Sequence, residues 1–243
     1  MTGVPLIEAQ GLAKAFAGQP AVRGVSFALS AGEVACVLGP NGAGKTTTLR
    51  MLAGVLEPDA GAARLGGHDV VLARARAQAL LGYLPEGAPL PTDLSARLLL
   101  RFLADALGAP RARVEASAAA VGLTAVLDRP LATLSKGYRR RAALAGALVH
   151  DPPVLLLDEP MDGLDPIQKQ QARALIRALA PGRAILISTH ALDDAIALAD
   201  RILLIAGGTL VLDEPARAFA ARGAAAGGLE AAFAALTQEP AAA

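Results

Sequence analysis

The chain is poor in aromatic residues. It has no tryptophan, and Phe, Trp and Tyr make up only 3% of its 243 residues. A core must therefore come from Ala, Leu, Val and Ile, which the 53% hydrophobic content amply supplies. The length allows one large domain or two small ones. Cys36 is the single cysteine, which excludes an internal disulfide and is compatible with the cytosol. It sits inside an apolar run and reads as a small core residue rather than a reactive thiol. Net charge is almost absent, +1 at pH 7, so there is no electrostatic case for nucleic acid. Long uncharged runs are also missing. The longest, Ala116 to Leu127, has twelve residues, too few to cross a bilayer. Met1 to Gln10 lacks a basic region followed by a long apolar run, so no secretory leader is expected there.

Glycine, by contrast, is placed with purpose. Gly39-Pro40-Asn41-Gly42-Ala43-Gly44-Lys45-Thr46 has the spacing of a phosphate-binding loop: Gly, four residues, Gly-Lys-Thr. Val34 to Leu38 before it reads as a buried strand, and Thr46 onward as a helix. Glycines let the backbone curl so that successive N–H groups face phosphate oxygens, and the helix N-terminus adds partial positive charge. Lys45 can reach the β and γ phosphates and the Thr46 hydroxyl can bind Mg²⁺; Thr47 follows in the same turn. The competing explanation, a Gly-rich surface turn, does not account for the strand and helix on either side. The loop alone does not choose among GTPases, helicases, kinases and transport ATPases.

Short strands are predicted at Leu6–Ala9, Val25–Leu29 and Val34–Leu38, with a hairpin turn at Ser30–Gly32. Thr46 to Ala53 reads as a helix ended by Gly54, Gly61 to Val71 as a β pair, and Leu80 to Leu84 as a strand. From Ser95, a good N-cap, to Val149 the pattern is helical. Strands then return at Val154–Leu157 and Ala184–Ser188, alternating with helices over Ile167–Leu179 and Ala191–Ala199. Arg201 to Leu212 suggests two last strands across Gly207-Gly208. Apolar strands alternating with helices imply an α/β fold with a mainly parallel sheet covered on both faces. The predicted layout is one domain over 1–243. Its core with an N-terminal antiparallel β part occupies 4–86 and 151–213, a helical insert occupies about 87–150, and an Ala-rich tail, helix or frayed end, occupies 214–243.

The run Val154-Leu155-Leu156-Leu157-Asp158-Glu159 is a buried strand ending in two acids. Ligands gather at the carboxyl ends of parallel strands, so this end and the phosphate loop can share one edge. Asp158 would then bind Mg²⁺, directly or through water, and Glu159 would orient or deprotonate an attacking water. A solvated strand end is the alternative for an Asp-Glu pair taken alone.

Together with Leu134-Ser135-Lys136-Gly137-Tyr138 and Ser188-Thr189-His190, these motifs resemble the ATP-binding subunit of an ABC transporter, from about Leu6 to Asp213 and in family order. The resemblance implies a P-loop NTPase core. It implies ATP and Mg²⁺ as ligands, and Gly39 to Thr47 as the ATP loop. It further implies that Ser135 and Gly137 touch the γ phosphate held by a second subunit, with Lys136 and Tyr138 departing from the usual Gly and Gln and Arg141 filling the closing basic position. Asp165, in Gly163-Leu164-Asp165, resembles the loop that crosses the dimer interface, or simply caps a helix. His190 resembles the switch histidine that contacts the γ phosphate. Phe16 falls where an aromatic stacks on adenine, with a core role as its rival. Gly82-Tyr83-Leu84-Pro85-Glu86 places Glu86 where the family carries a Mg²⁺-binding Gln. A carboxylate there still ligates the ion but changes the charge of the site. These segments and the tail pattern Leu229 to Thr237 are similar to the bacterial branch that includes drug, sodium and gliding-motility exporters.

The resemblance also implies partners. Each ATP would lie between the loop of one subunit and Ser135 of another, so two copies make two sites. Completion by the partner is worth roughly 10³ or more in rate, about 4 kcal/mol. A separate membrane permease, docking near Glu86 to Pro91 and selecting the cargo, would hold the chain at the cytoplasmic face of the membrane. Two other readings stay open: an ABC-type ATPase acting in DNA repair or on ribosomes, and a regulatory subunit that binds ATP without hydrolysis. No coiled coil or charged linker supports the first, and intact Lys45, Asp158, Glu159 and His190 argue against the second.

Overall fold

The computed structural model describes residues 4–87 and 89–238. Residues 1–3 of the N-terminal segment and 239–243 of the tail lie outside the described residues. The chain opens with two long antiparallel strands, β1 (Ile7–Phe16) and β2 (Gln19–Leu29), followed by β3 (Val34–Leu38) and helix α1 (Lys45–Leu52). Then come β4 (Ala60–Leu65), β5 (His68–Asp69), α2 (Arg74–Gln78) and β6 (Leu81–Leu84). The helical stretch holds α3 (Ala96–Ala106), α4 (Ala112–Ala120) and α5 (Lys136–Leu148). Alternation resumes with β7 (Val154–Asp158), α6 (Pro166–Leu179), β8 (Ala184–Ser188), α7 (Leu192–Leu198), β9 (Arg201–Ala206) and β10 (Thr209–Pro215). The tail forms α8 (Ala216–Ala226) and α9 (Leu229–Thr237).

The strands make two sheets. One is antiparallel, in the order β2-β1-β4-β5, and the other runs β10-β9-β3-β8-β7-β6. In the second, every pair from β9 to β6 is parallel and only the edge strand β10 is antiparallel. Its inner strands are apolar on both faces, as burial on both sides requires. Val34, Cys36 and Leu38 of β3 pack with the helices, while Ala35 and Val37 pack with the antiparallel sheet and α1. The same alternation runs through β7, β8 and β9. The fold is thus α/β, with the mainly parallel sheet carrying α3 to α8 on one face and the second sheet together with α1 and α2 on the other.

Cys36 is fully buried, and burial drives its thiol far above the ordinary value, which fits the core role. The expected hairpin at Ser30–Gly32 is corrected. A turn is there, closed by Glu33 N–H donating to the Ser30 carbonyl at 3.3 Å. It joins strands of different sheets, because turn chemistry sets a local reversal and not which sheet receives the next strand. The true hairpin is at Ala17-Gly18, where both residues have positive φ, 49° and 79°. That is the twist a two-residue connection needs.

Candidate nucleotide site

Parallel register brings the site together. Val37 of β3 pairs with Ser188 of β8, Asp158 of β7 with Ser188, and Leu84 of β6 with Leu157. The segments leaving these strands are the Gly39–Thr46 loop, Glu159, Thr189-His190 and Pro85-Glu86, and all four leave one edge of the sheet. Asn41 to Thr47, Phe16, Glu86 and Glu159 line one cleft.

The loop is shaped by close approaches. A Cβ on Gly39 (φ 157°) would meet the Ile205 carbonyl oxygen at 2.2 Å, and one on Gly44 (φ 104°) would meet that of Ala21 at 2.5 Å. Gly39, buried, and Pro40, exposed, are not among the residues lining that cleft, and their carbonyls accept from Lys45 Nζ at 2.7 and 3.0 Å. Lys45 is buried, which lowers the pKa of its ammonium. Glu159, Asp158 and Glu86 pull the other way. The cation is therefore held ready by loop carbonyls, beside the acids.

Asp158 is fully buried. Its Oδ1 accepts from the Thr46 hydroxyl at 3.3 Å and, more closely, from Ser188 Oγ. Its Oδ2 is buried without a partner among the described residues. A carboxylate left short of a partner beside a threonine hydroxyl is a hard-oxygen donor set, the kind that suits Mg²⁺. Glu159 has a left-handed backbone, φ 48°, with its N–H donating to the Ser188 Oγ at 3.0 Å and carbonyl at 3.2 Å. Such a conformation in a non-glycine residue costs of order 1–3 kcal/mol and persists where neighbours hold it. His190 is exposed, and its Nδ1 lies 3.0 Å from Glu159 Oε1. The carboxylate accepts, so Nδ1 carries the proton and Nε2 remains for another group.

Phe16, half exposed, lies at the hairpin end and on the cleft wall rather than in the core. Glu86 is exposed and lines the same cleft. Ser135, Gly137 and Asp165 do not join it. Ser135 caps α5, its Oγ accepting from Tyr138 N–H at 3.4 Å, and Asp165 caps α6, accepting from Gln168 N–H at 2.8 Å. Ser135 and Gly137 border a separate apolar cavity between α5 and α6. Of the two departures, Lys136 places its Nζ 3.8 Å from Asp162 Oδ2, and the Tyr138 ring lies 5.8 Å from the Arg141 guanidinium.

Two participants, Ser188 and Arg140, make contacts that no sequence signal points to. Ser188 links Asp158 to Glu159 through one hydroxyl. Arg140, the middle of three successive arginines, turns inward and is only 8% exposed. The α-helical period puts one of the three on the buried face, but which one follows only from the docking of α5.

The family model described as "ABC transporter" matches residues 22–162. The chain belongs to the ABC transporter family. It is 38% identical over 213 residues to the Nod factor export ATP-binding protein I of Ralstonia nicotianae, covering 84% of this chain and 65% of that protein. It is 40% identical over 212 residues to the daunorubicin/doxorubicin resistance ATP-binding protein DrrA of Streptomyces peucetius, covering 85% of this chain and 64% of that protein. The chain thus spans just under two thirds of the length of these two relatives. Among solved structures, one described as the ATP binding subunit of an ABC transporter superposes with a TM-score of 0.84 at 28% identity, over 96% of this ABC chain and 100% of the other. The cbiO1 structure from Clostridium perfringens, part of the ABC transporter complex cbiONQ, gives 0.80 at 27% identity over 89% and 91%.

Proposed function

We propose that this ABC chain is an ATP-hydrolysing subunit that pairs around two ATP molecules and drives a separate membrane permease in export. The observation that carries the reading is the His190–Glu159 contact at 3.0 Å, set beside the Lys45 loop and the partner-short Asp158. The export direction is supported by relatives named for Nod factor export and drug resistance.

Lys45 would exchange the Gly39 and Pro40 carbonyls for phosphate oxygens. Phe16 would stack on the base, and the Asn41–Thr46 N–H groups would cradle the phosphates. Thr46, Asp158 and Glu86 would hold Mg²⁺, which when bound supplies positive charge to the phosphate oxygens. Glu159 would orient the attacking water and accept its proton, with His190 fixing the carboxylate and presenting Nε2 towards the γ phosphate. Ser135, Gly137 and Asp165 lie outside the cleft of their own chain, which supports their service to the site of a second copy. Among the described residues no helix is long and apolar enough to cross a membrane. This fits peripheral attachment, at the cytoplasmic face, to a permease seated in the apolar groove between β6, Pro89–Pro91 and helices α3 and α5. The chain would act as one ATPase unit, with the core, helical insert at about 87–150 and tail as laid out from the sequence.

Phosphate release by the purified chain tests the enzymatic reading. Mg²⁺-dependent release is expected, and ATP binding without release would leave the regulatory alternative standing. Glu86 has its own test. A carboxylate holds Mg²⁺ more tightly than an amide, so Glu86→Gln is expected to leave ATP affinity nearly intact and raise the Mg²⁺ concentration giving half-maximal hydrolysis. Superimposable Mg²⁺ curves would make Glu86 a solvated loop acid.

A further inference from the structure

Arg140 lies in the second turn of α5, and its Nη2 donates to the carbonyl of Glu159 at 3.0 Å and of Asp162 at 3.4 Å. These two residues bracket the turn after β7, which Asp162 N–H closes by donating to the Glu159 carbonyl at 3.2 Å. Glu159 within it has the left-handed backbone that only surrounding contacts sustain. The same helix begins at Ser135, whose hydroxyl caps it.

We propose that Arg140 is a positioning residue for Glu159. Its guanidinium holds the main chain from which the carboxylate springs, so the geometry at Glu159 depends on where α5 sits. A partner engaging Ser135 and Gly137 at the start of α5 is thereby felt at Glu159 through the first two turns of that helix. The inference rests on the reading of Glu159 as the group that activates water.

A purely structural role fits Arg140 poorly. Its Nε and Nη1 are buried with no partner among the described residues. A buried guanidinium with unmet N–H groups loses hydration it does not regain, and that cost offsets part of what its two carbonyl contacts contribute to stability. What Arg140 does make is a pair of contacts to the two carbonyls that fix the Glu159 turn. Misplacing a reacting group by about 1 Å can cost up to 10² in rate.

The test compares Arg140→Met and Arg140→Lys in the full chain, reading kcat, KM for ATP and melting temperature. Arg140→Met is expected to lower kcat about tenfold or more, with KM within about twofold of wild type and a melting temperature lowered by no more than about 4 °C. Arg140→Lys, a cation with three donors that can reach the same carbonyls, is expected to recover most of the loss. The proposal is overturned if Arg140→Met keeps kcat within about twofold, or if kcat, nucleotide affinity and melting temperature fall together. It is also overturned if Lys is no better than Met. Failure of the underlying reading is separable. Wild-type turnover by Glu159→Gln would remove Glu159 itself from the mechanism, whereas its loss alongside an active Arg140→Met removes only Arg140.

Discussion

Glu159→Gln is expected to abolish steady-state ATP hydrolysis while leaving ATP binding in place. The amide keeps the volume of the side chain and can still meet His190 Nδ1, now 3.0 Å from Oε1. The left-handed backbone at φ 48° stays anchored through Ser188 and Arg140, neither of which touches the carboxylate. What disappears is the negative charge and the capacity to take a proton. General base catalysis is worth about 10²–10⁴ in rate, so kcat should fall at least a hundredfold. Nucleotide affinity should stay within a few-fold, because Lys45, Thr46 and Asp158 are untouched. Phosphate release and a fluorescence titration with a labelled nucleotide measure the two quantities separately. A variant that turns over like wild type would place the base elsewhere.

Lys45→Ala should fail at the earlier step. The ammonium is buried at the root of the loop, and the charge it would offer to the phosphates on the proposed reading cannot be supplied from solvent. Hydrogen bonds to charged groups contribute about 1.5–3 kcal/mol, and the upper end corresponds to roughly a hundredfold in affinity. Folding should suffer little. The carbonyls of Gly39 and Pro40 lose a donor, but the cost of burying the cation goes as well. An unchanged nucleotide affinity in the titration would sink this role for Lys45.

The parts read best from sequence are those whose chemistry is contiguous. The loop from Gly39 to Thr46 carries its glycines, its cation and its hydroxyl in one run, and strand and helix flank it as the pattern requires. The strands β3, β7 and β8, apolar up to the Asp158 and Ser188 that end the last two, are equally plain, because burial on both faces favours apolar residues along their length. Legibility fails where structure depends on distant partners. β1 and β2 run far beyond the short strands expected, since register shifts between Ala9 and Ala15 break the period-two pattern. The turn between them uses Ala17-Gly18 rather than the commoner Asn-Gly or Asp-Gly. The Ala-rich tail is compatible, as sequence, with either a helix or a frayed end. Phe219 fully buried and Phe233 packed on the core show what anchors α8 and α9. Arg140 is hidden among three arginines because only the packing of α5 selects its inward face.

A single chain, on this account, holds an incomplete site. Phe16, the loop, Glu86 and Glu159 line a cleft that Ser135, Gly137 and Asp165 do not reach within their own chain. The most direct measurement is the mass of Glu159→Gln by light scattering, with and without ATP and Mg²⁺. Doubling of the mass with ATP and Mg²⁺, and a return to the single-chain value when nucleotide is removed, is the expected result. A mass that stays at one chain while ATP is demonstrably bound would contradict a site shared between two copies.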